Sequence, residues 1–375
     1  MLIDLINYLK KITDLIRNGG YVMKGAIYYL SIVACLLFVM LAGATQSETK
    51  TSAVNLMIIT DMPLSATEDQ EAIAESYLFD MYNVINERNL TATIFSTQDF
   101  IDSHARLRLT DIGLSSDFEL AMSGNNSDEK LSSESLERQK EILETSKKYV
   151  EGCRVCGRNE ITAKGFMPQS FDQNENTYKV LDDLGIEYDA GFQAGILYAP
   201  GHEQDVWPYK VANHRFYAVP VSTYELSGKK VPLVDSLAKD EGLSSSQWYD
   251  LMKAKFDDAQ GKKEPVVISL STSISGTGDY LGGLKQFLDY AMSNDARFVT
   301  TIDLVNMSRQ EDFEETATSI AKAKSETGIS SNATIAEEGS SGCAACDAEK
   351  KASMNATAQN ETISIIMNVG ENKSE

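Results

Sequence analysis

Histidine is scarce in this chain. There are three in 375 residues, His104, His202 and His214, and no two stand four apart, which excludes a His-x-x-x-His metal clamp. Basic charge is in deficit too, with 34 Lys and Arg against 55 Asp and Glu, a formal net charge of −21 and a pI near 4.6. No basic stripe interleaved with aromatics offsets it, and a surface this acidic repels a phosphate backbone, so nucleic acid is excluded as a partner. Long apolar runs are lacking except for one. It lies near the N-terminus.

That run, residues 26–44, is uncharged, close to the ~20 residues that span a bilayer, and ends in the small-x-small pattern Ala42-Gly43-Ala44. Lys10, Lys11, Arg17 and Lys24 precede it, which by the positive-inside rule places the rest of the chain outside. Residues 1–44 therefore read as a signal peptide, if translation starts at Met23, or as a signal anchor holding the protein to the membrane. A buried core helix is the bland alternative, and the polar linker of residues 45–53 argues against it. Sequons at Asn89, Asn125, Asn306, Asn332, Asn355, Asn360 and Asn372 agree with an extracellular or cell-surface protein.

From Val54 onward strands and helices alternate. Val54 to Pro63, VNLMIITDMP, is an apolar strand suited to a sheet buried on both faces, with Asp61 where it emerges. Thr67 and Gln70 form a capping box for a helix to about Arg88, with Ile73, Tyr77, Met81, Val84 and Ile85 on one face. Strands are expected from Thr91 and from Phe118, the second ending in a polar loop from Gly124 to Glu129. A helix over 132–150 follows, with Leu136, Leu143 and Val150 at heptad spacing, and then further strands near 163–167, 188, 265–270 and 297–302 with helices between. Residues 193–225 are irregular and aromatic and read as an insertion over one end. Repeated β-then-α units over 54–309 predict an α/β fold with a parallel sheet, closed into a barrel. Residues 310–375 are poor in large apolar residues and read as an acidic, solvated tail.

Several segments in this order resemble the polysaccharide deacetylase, or NodB-homology, family. They are Asp61 ending the first strand, Thr93-Ile-Phe in the second, the third strand with its loop to Leu131, Gly165-Phe-Met-Pro, Leu184-Gly-Ile-Glu-Tyr-Asp, and Phe298-Val-Thr-Thr. The resemblance covers about residues 52–309. It implies a distorted (β/α) barrel that removes acetyl groups from polysaccharides, using an Asp base, a divalent metal held by a second Asp and two His, an Arg, and a late His acid. Metal polarises the acetyl carbonyl, the carboxylate takes a proton, and the acid returns one to the leaving group. Most of these residue types are missing. The paired Asp is Thr60-Asp61, the two ligand His positions match Gly124 and Asp128, Arg-Pro-Pro reads Met167-Pro168-Gln169, and Ser269 and Ser271 stand where the acid His falls.

Asp61 and Asp128 are thus the candidate catalytic acids, able at most to hold a hard cation weakly, and otherwise a solvated or hydrogen-bonded pair. Trp207 and Tyr209 are candidate sugar-stacking residues, or members of a satellite hydrophobic cluster under the insertion. Cys153-x-x-Cys156 and Cys343-x-x-Cys346 have the form of a four-thiolate structural zinc site, while export favours disulfides in one of three pairings; free or redox-active thiols are the third option. The expected partner is a polysaccharide or cell-surface glycan. Three functions stay open: a glycan-related protein without metal-dependent hydrolysis, a deacetylase with an altered site around Asp61, and an envelope scaffold.

Overall fold

The computed structural model describes residues 52–62, 64–103, 117–152, 161–226 and 228–310. The apolar segment at 26–44, His104, the four C-x-x-C cysteines and the sequon-rich tail lie outside these residues. Among the described residues no helix is long and apolar enough to cross a membrane.

Seven parallel strands make the body of the sheet: β1 (Ala53–Ile59), β2 (Ala92–Ser96), β3 (Phe118–Met122), β4 (Gly165–Phe166), β5 (Tyr188–Gln193), β7 (Tyr217–Val221) and β10 (Val266–Ser271). Their order is β10-β1-β2-β3-β4-β5-β7, and β6 (Tyr209–Lys210) adds antiparallel to β7. The chain just past β7, and again at Leu233, reaches β10 through main-chain bonds: Ser222 N–H donates to Val267 O at 3.0 Å, and Ser269 N–H to Leu233 O at 2.9 Å. This joins the two ends of the sheet, giving the distorted barrel expected from the alternation. The strands run Val-, Ile-, Leu- and Phe-rich because both faces are covered, and β1, β2, β5 and β10 are buried almost throughout.

The distortion lies on β1. Met57 to Ile59 pair with β2, but Ala53 to Asn55 pair on the same edge with β11 (Arg297–Val299), which wedges in below β2. Asn55, buried in mid-strand, locks the wedge by donating from Nδ2 to Val299 O at 3.0 Å. A polar floor follows inside the barrel: Thr93 Oγ1 and Tyr188 Oη donate to the Glu119 carboxylate at 2.9 and 2.8 Å, and Ile302 N–H donates to it at 3.0 Å. Tyr188 crosses the barrel only because residue 165 is glycine, where a Cβ would sit 1.8 Å from the Tyr188 ring.

Helices sheathe the sheet: α1 (Glu68–Asn86), short α2 (Gln98–Asp102), α3 (Leu136–Gly152), α4 (Glu175–Leu184), short α5 (Asp235–Asp240), α6 (Ser245–Lys262), one-turn α7 (Thr272–Ser275) and α8 (Gly278–Ser293). The Thr67/Gln70 capping box forms as expected. The buried face of α1 is turned by one position from the expected one: Ala74 and Leu78 are buried beside Met81, Val84 and Ile85, while Ile73 is exposed. An i, i+4, i+7, i+11 stripe from Ala74 accommodates more apolar surface on the sheet than one from Ile73. On α3, Leu143 and Val150 are buried but Leu136 faces out. The expected insertion at 193–225 is partly barrel: Phe216 is fully buried and β7 is a full member of the sheet. After it, β8 (Thr223–Leu226) and β9 (Lys229–Pro232) form a separate hairpin.

Candidate active site

The C-terminal ends of the parallel strands share one end of the barrel, and Asp61 stands there just beyond β1. Its backbone N–H donates to Thr272 Oγ1 at 3.0 Å. Its Oδ2 accepts from Ser273 Oγ at 2.8 Å and also from Ser271 Oγ, and the two hydroxyls lie 3.0 Å apart. Ser271 is thus at the centre. It ends β10, and its own N–H donates to both carboxylate oxygens of Asp235, at 3.0 and 2.9 Å.

Asp235, in the first turn of α5, is fully buried and also accepts from Ser275 Oγ at 2.6 Å. Burial pushes its carboxyl up to about 7 against these hydrogen bonds, and the negative Asp61 nearby adds to the rise. Asp61 is raised for the same first reason, burial, with the Ser271 and Ser273 hydroxyls working the other way. Two acids are thus linked through one serine, both raised by burial, and Asp235, at about 7, is able to hold or take a proton near neutrality. The sequence pointed to Asp61 but not to Asp235, whose only local signal is a position opening a short helix.

The loop after β3 departs from a ligand loop. Gly124 has φ +83, and a Cβ there would lie 2.4 Å from Glu129 Oε2, whose carboxylate folds back to accept Asn125 N–H at 2.7 Å. Asp128 is exposed, its N–H turned onto Asn126 Oδ1 at 3.0 Å. What this loop sends to the end of β1 is Ser127, whose Oγ accepts Met62 N–H at 3.2 Å. Thr60, where the paired Asp is expected, is fully buried and clasps β2, with Oγ1 3.2 Å from Ser96 Oγ. Gln169 donates to Ser123 Oγ at 2.9 Å. The residues at these positions therefore do not fit the divalent metal that the resemblance implies, and among the described residues no three His, Cys, Asp or Glu are grouped to hold an ion.

Tyr209 corrects an expectation. It is 7% exposed, its hydroxyl accepts Ala199 N–H at 3.0 Å, and its ring stacks on His202 at 4.0 Å, so no face is left for a sugar. Trp207 is half-buried and packed against the main core. His202 is held by Asp205 at 2.6 Å, and His214 sits between Asp182 at 2.8 Å and Glu175 at 3.5 Å; both fix loops. Asp189 on β5 is a further buried acid, pushed up to about 7 by burial. Its Oδ2 and Gln173 Oε1 are buried acceptors without a donor, which suits a carboxyl that keeps its proton.

No family model matches the chain, and no curated protein sequence does either. Solved structures do match. A protein described as a polysaccharide deacetylase from Mycobacterium smegmatis aligns at TM-score 0.54 and 16% identity, covering 72% of this chain and 93% of the other. A polysaccharide deacetylase from Pseudomonas aeruginosa PAO1 aligns at TM-score 0.56 and 14% identity, over 70% and 92% of the two chains. The fold is that of the polysaccharide deacetylases. Puue allantoinase has it too, at TM-score 0.55, 14% identity and coverage of 68% and 90%. The polysaccharide deacetylase fold thus carries more than one named activity, and the chemistry of this chain has to be argued from its own site.

Proposed function

We propose that this is an exported polysaccharide deacetylase-like protein, acting in carbohydrate metabolism at the cell surface on or with an acetylated glycan, without the metal-dependent hydrolysis that the family resemblance implies. The observation that carries the reading is the fate of the ligand positions: Gly124 closed off by Glu129, Asp128 exposed, and Thr60 buried, inside a barrel of the deacetylase type. Export rests on residues 1–44 and the sequons alone. Elemental analysis of protein purified without added metal, paired with acetate release from acetylated oligosaccharides with and without divalent ions, tests the proposal. Glycan binding without metal-stimulated acetate release is the expected outcome. Release that needs close to one equivalent of metal, and survives Cys→Ser changes, would refute it.

A second reading has a specific observation in its favour. Asp61 remains at the barrel mouth as a half-buried carboxylate with a raised pKa, beside the exposed Ser273. An altered, metal-independent deacetylation with Asp61 as base fits that arrangement. Loss of acetate release in Asp61→Asn, with metal chelators having no effect, is its signature.

A further inference from the structure

Resting on the second reading, in which Asp61 serves as base, we propose that Ser271 is a catalytic nucleophile that carries the acetyl group covalently, and that the substrate class is the O-acetyl ester of a glycan. Two side-chain donors to the Asp61 carboxylate, Ser271 Oγ and Ser273 Oγ, fall on Oδ2, so the hydrogen nearest the base belongs to a serine. A nucleophile and base within hydrogen-bond reach, each held by further groups, is the arrangement an activated serine requires. Here the base is held by Thr272 Oγ1 on its backbone and by Ser273, while the nucleophile is held by Asp235 on its own N–H. Asp235 does not touch substrate in this scheme; it is a positioning residue. Ser273, exposed on the same oxygen, marks the solvent side of the pair.

The step balances without an external reagent. Asp61 carboxylate takes the proton of Ser271 Oγ as that oxygen bonds to the acetyl carbonyl carbon. The ester C–O bond then breaks, and the departing sugar oxygen takes the proton from Asp61, leaving acetyl-Ser271. Water attacks the acetyl carbon and passes its proton through Asp61 to Ser271 Oγ, and acetic acid is released. An ester is the acetyl linkage suited to this site, because an alkoxide leaves more readily than an amide nitrogen and, among the described residues, no metal donor set is present to polarise the carbonyl.

The test uses the full chain and 4-nitrophenyl acetate, followed by acetylated xylan and N-acetyl chitin oligomers. Acid-quenched mass spectrometry is expected to find one acetyl group on the peptide bearing Ser271, absent in Ser271→Ala. In Ser271→Cys the acetyl should appear as a hydroxylamine-sensitive thioester, which shows that the variant folds and acts. Asp61→Asn should slow acetylation by about a hundredfold, the usual order for loss of a general base. Acetate release that persists in Ser271→Ala, with no adduct in the wild type, would overturn the nucleophile and leave Asp61 as a base acting on water. Neither adduct nor acetate from any substrate would overturn both. Release from chitin oligomers but not xylan would overturn the ester preference.

Discussion

Replacing Asp235 by Asn separates charge from shape at the most buried acid of the site. In one amide orientation Asn Oδ1 takes the place of Oδ2, accepting Ser271 N–H and Ser275 Oγ as the carboxylate oxygen does now, at 2.9 and 2.6 Å. The variant should therefore fold, with a loss of about 1 kcal/mol or less at acid pH. The pH dependence is where the two proteins diverge. Asp235 stands at about 7 in the folded chain against an ordinary value of 3.8. Because the folded pKa is the higher one, the native state keeps a proton that the unfolded chain has released. Stability from this group is fully present below about pH 4 and is lost as pH rises to about 7. At 1.36 kcal/mol per unit, the interval from about pH 5 to about pH 7 removes roughly 2 to 3 kcal/mol from the wild type. The amide has no proton to lose and escapes that decline. Urea unfolding of both proteins at about pH 5 and about pH 8 should show the variant gaining by roughly that amount relative to wild type at the higher pH. Comparing the two proteins cancels the contributions of Glu119 and Asp189, which are also raised. A constant difference at both pH values would refute the claim that Asp235 is held protonated.

Gly165→Ala places a Cβ 1.8 Å from the Tyr188 ring and should destabilise by about 2 to 4 kcal/mol, with a drop in melting temperature to match; a near-neutral effect would mean that Tyr188 does not cross the barrel there. Gly124→Ala, at φ +83 and against Glu129, should cost roughly 1 to 2 kcal/mol in chemical denaturation without changing any metal requirement. Tyr209→Phe removes the acceptor for Ala199 N–H and should lower stability by about 1 kcal/mol while leaving glycan retention on an affinity column unchanged. Asp61→Asn should leave the melting temperature nearly as it was, since serine hydroxyls still find an acceptor; a large fall would place Asp61 in the core's support.

Alternation made the barrel legible in the sequence, because strands buried on both faces are mostly apolar, and β1 and β10 are, apart from Asn55 in the one and Ser269 and Ser271 in the other. β7 was obscured by Pro220 and by aromatics shared with the flanking loops, and by Tyr-Ala-Val-Pro-Val being short. Its membership comes from parallel pairing with β5 across a long connection, a contact no local pattern announces. Asp61 could be found because it ends an apolar run. Asp235 could not, since its partners Ser271 and Ser275 lie 36 and 40 residues away and meet it only through the stagger of β10. Tyr209 shows the converse: an aromatic in a polar stretch reads as available for sugar, and only its stacking on His202 shows otherwise.

The wedge of β11 against β1 has a consequence for the order in which the chain comes together. The bond from Asn55 to Val299 spans 244 residues. At ~5–20 residues per second of synthesis, β1 exists for roughly ten to fifty seconds before the segment that covers its lower edge is made. During that time the start of β1, Ala53 to Asn55, has an edge without its native cover, the kind of template that recruits another chain. This protein is therefore expected to depend on a holding factor during biogenesis, and chain release shortly before residue 297 should yield aggregates where release beyond 310 yields soluble protein.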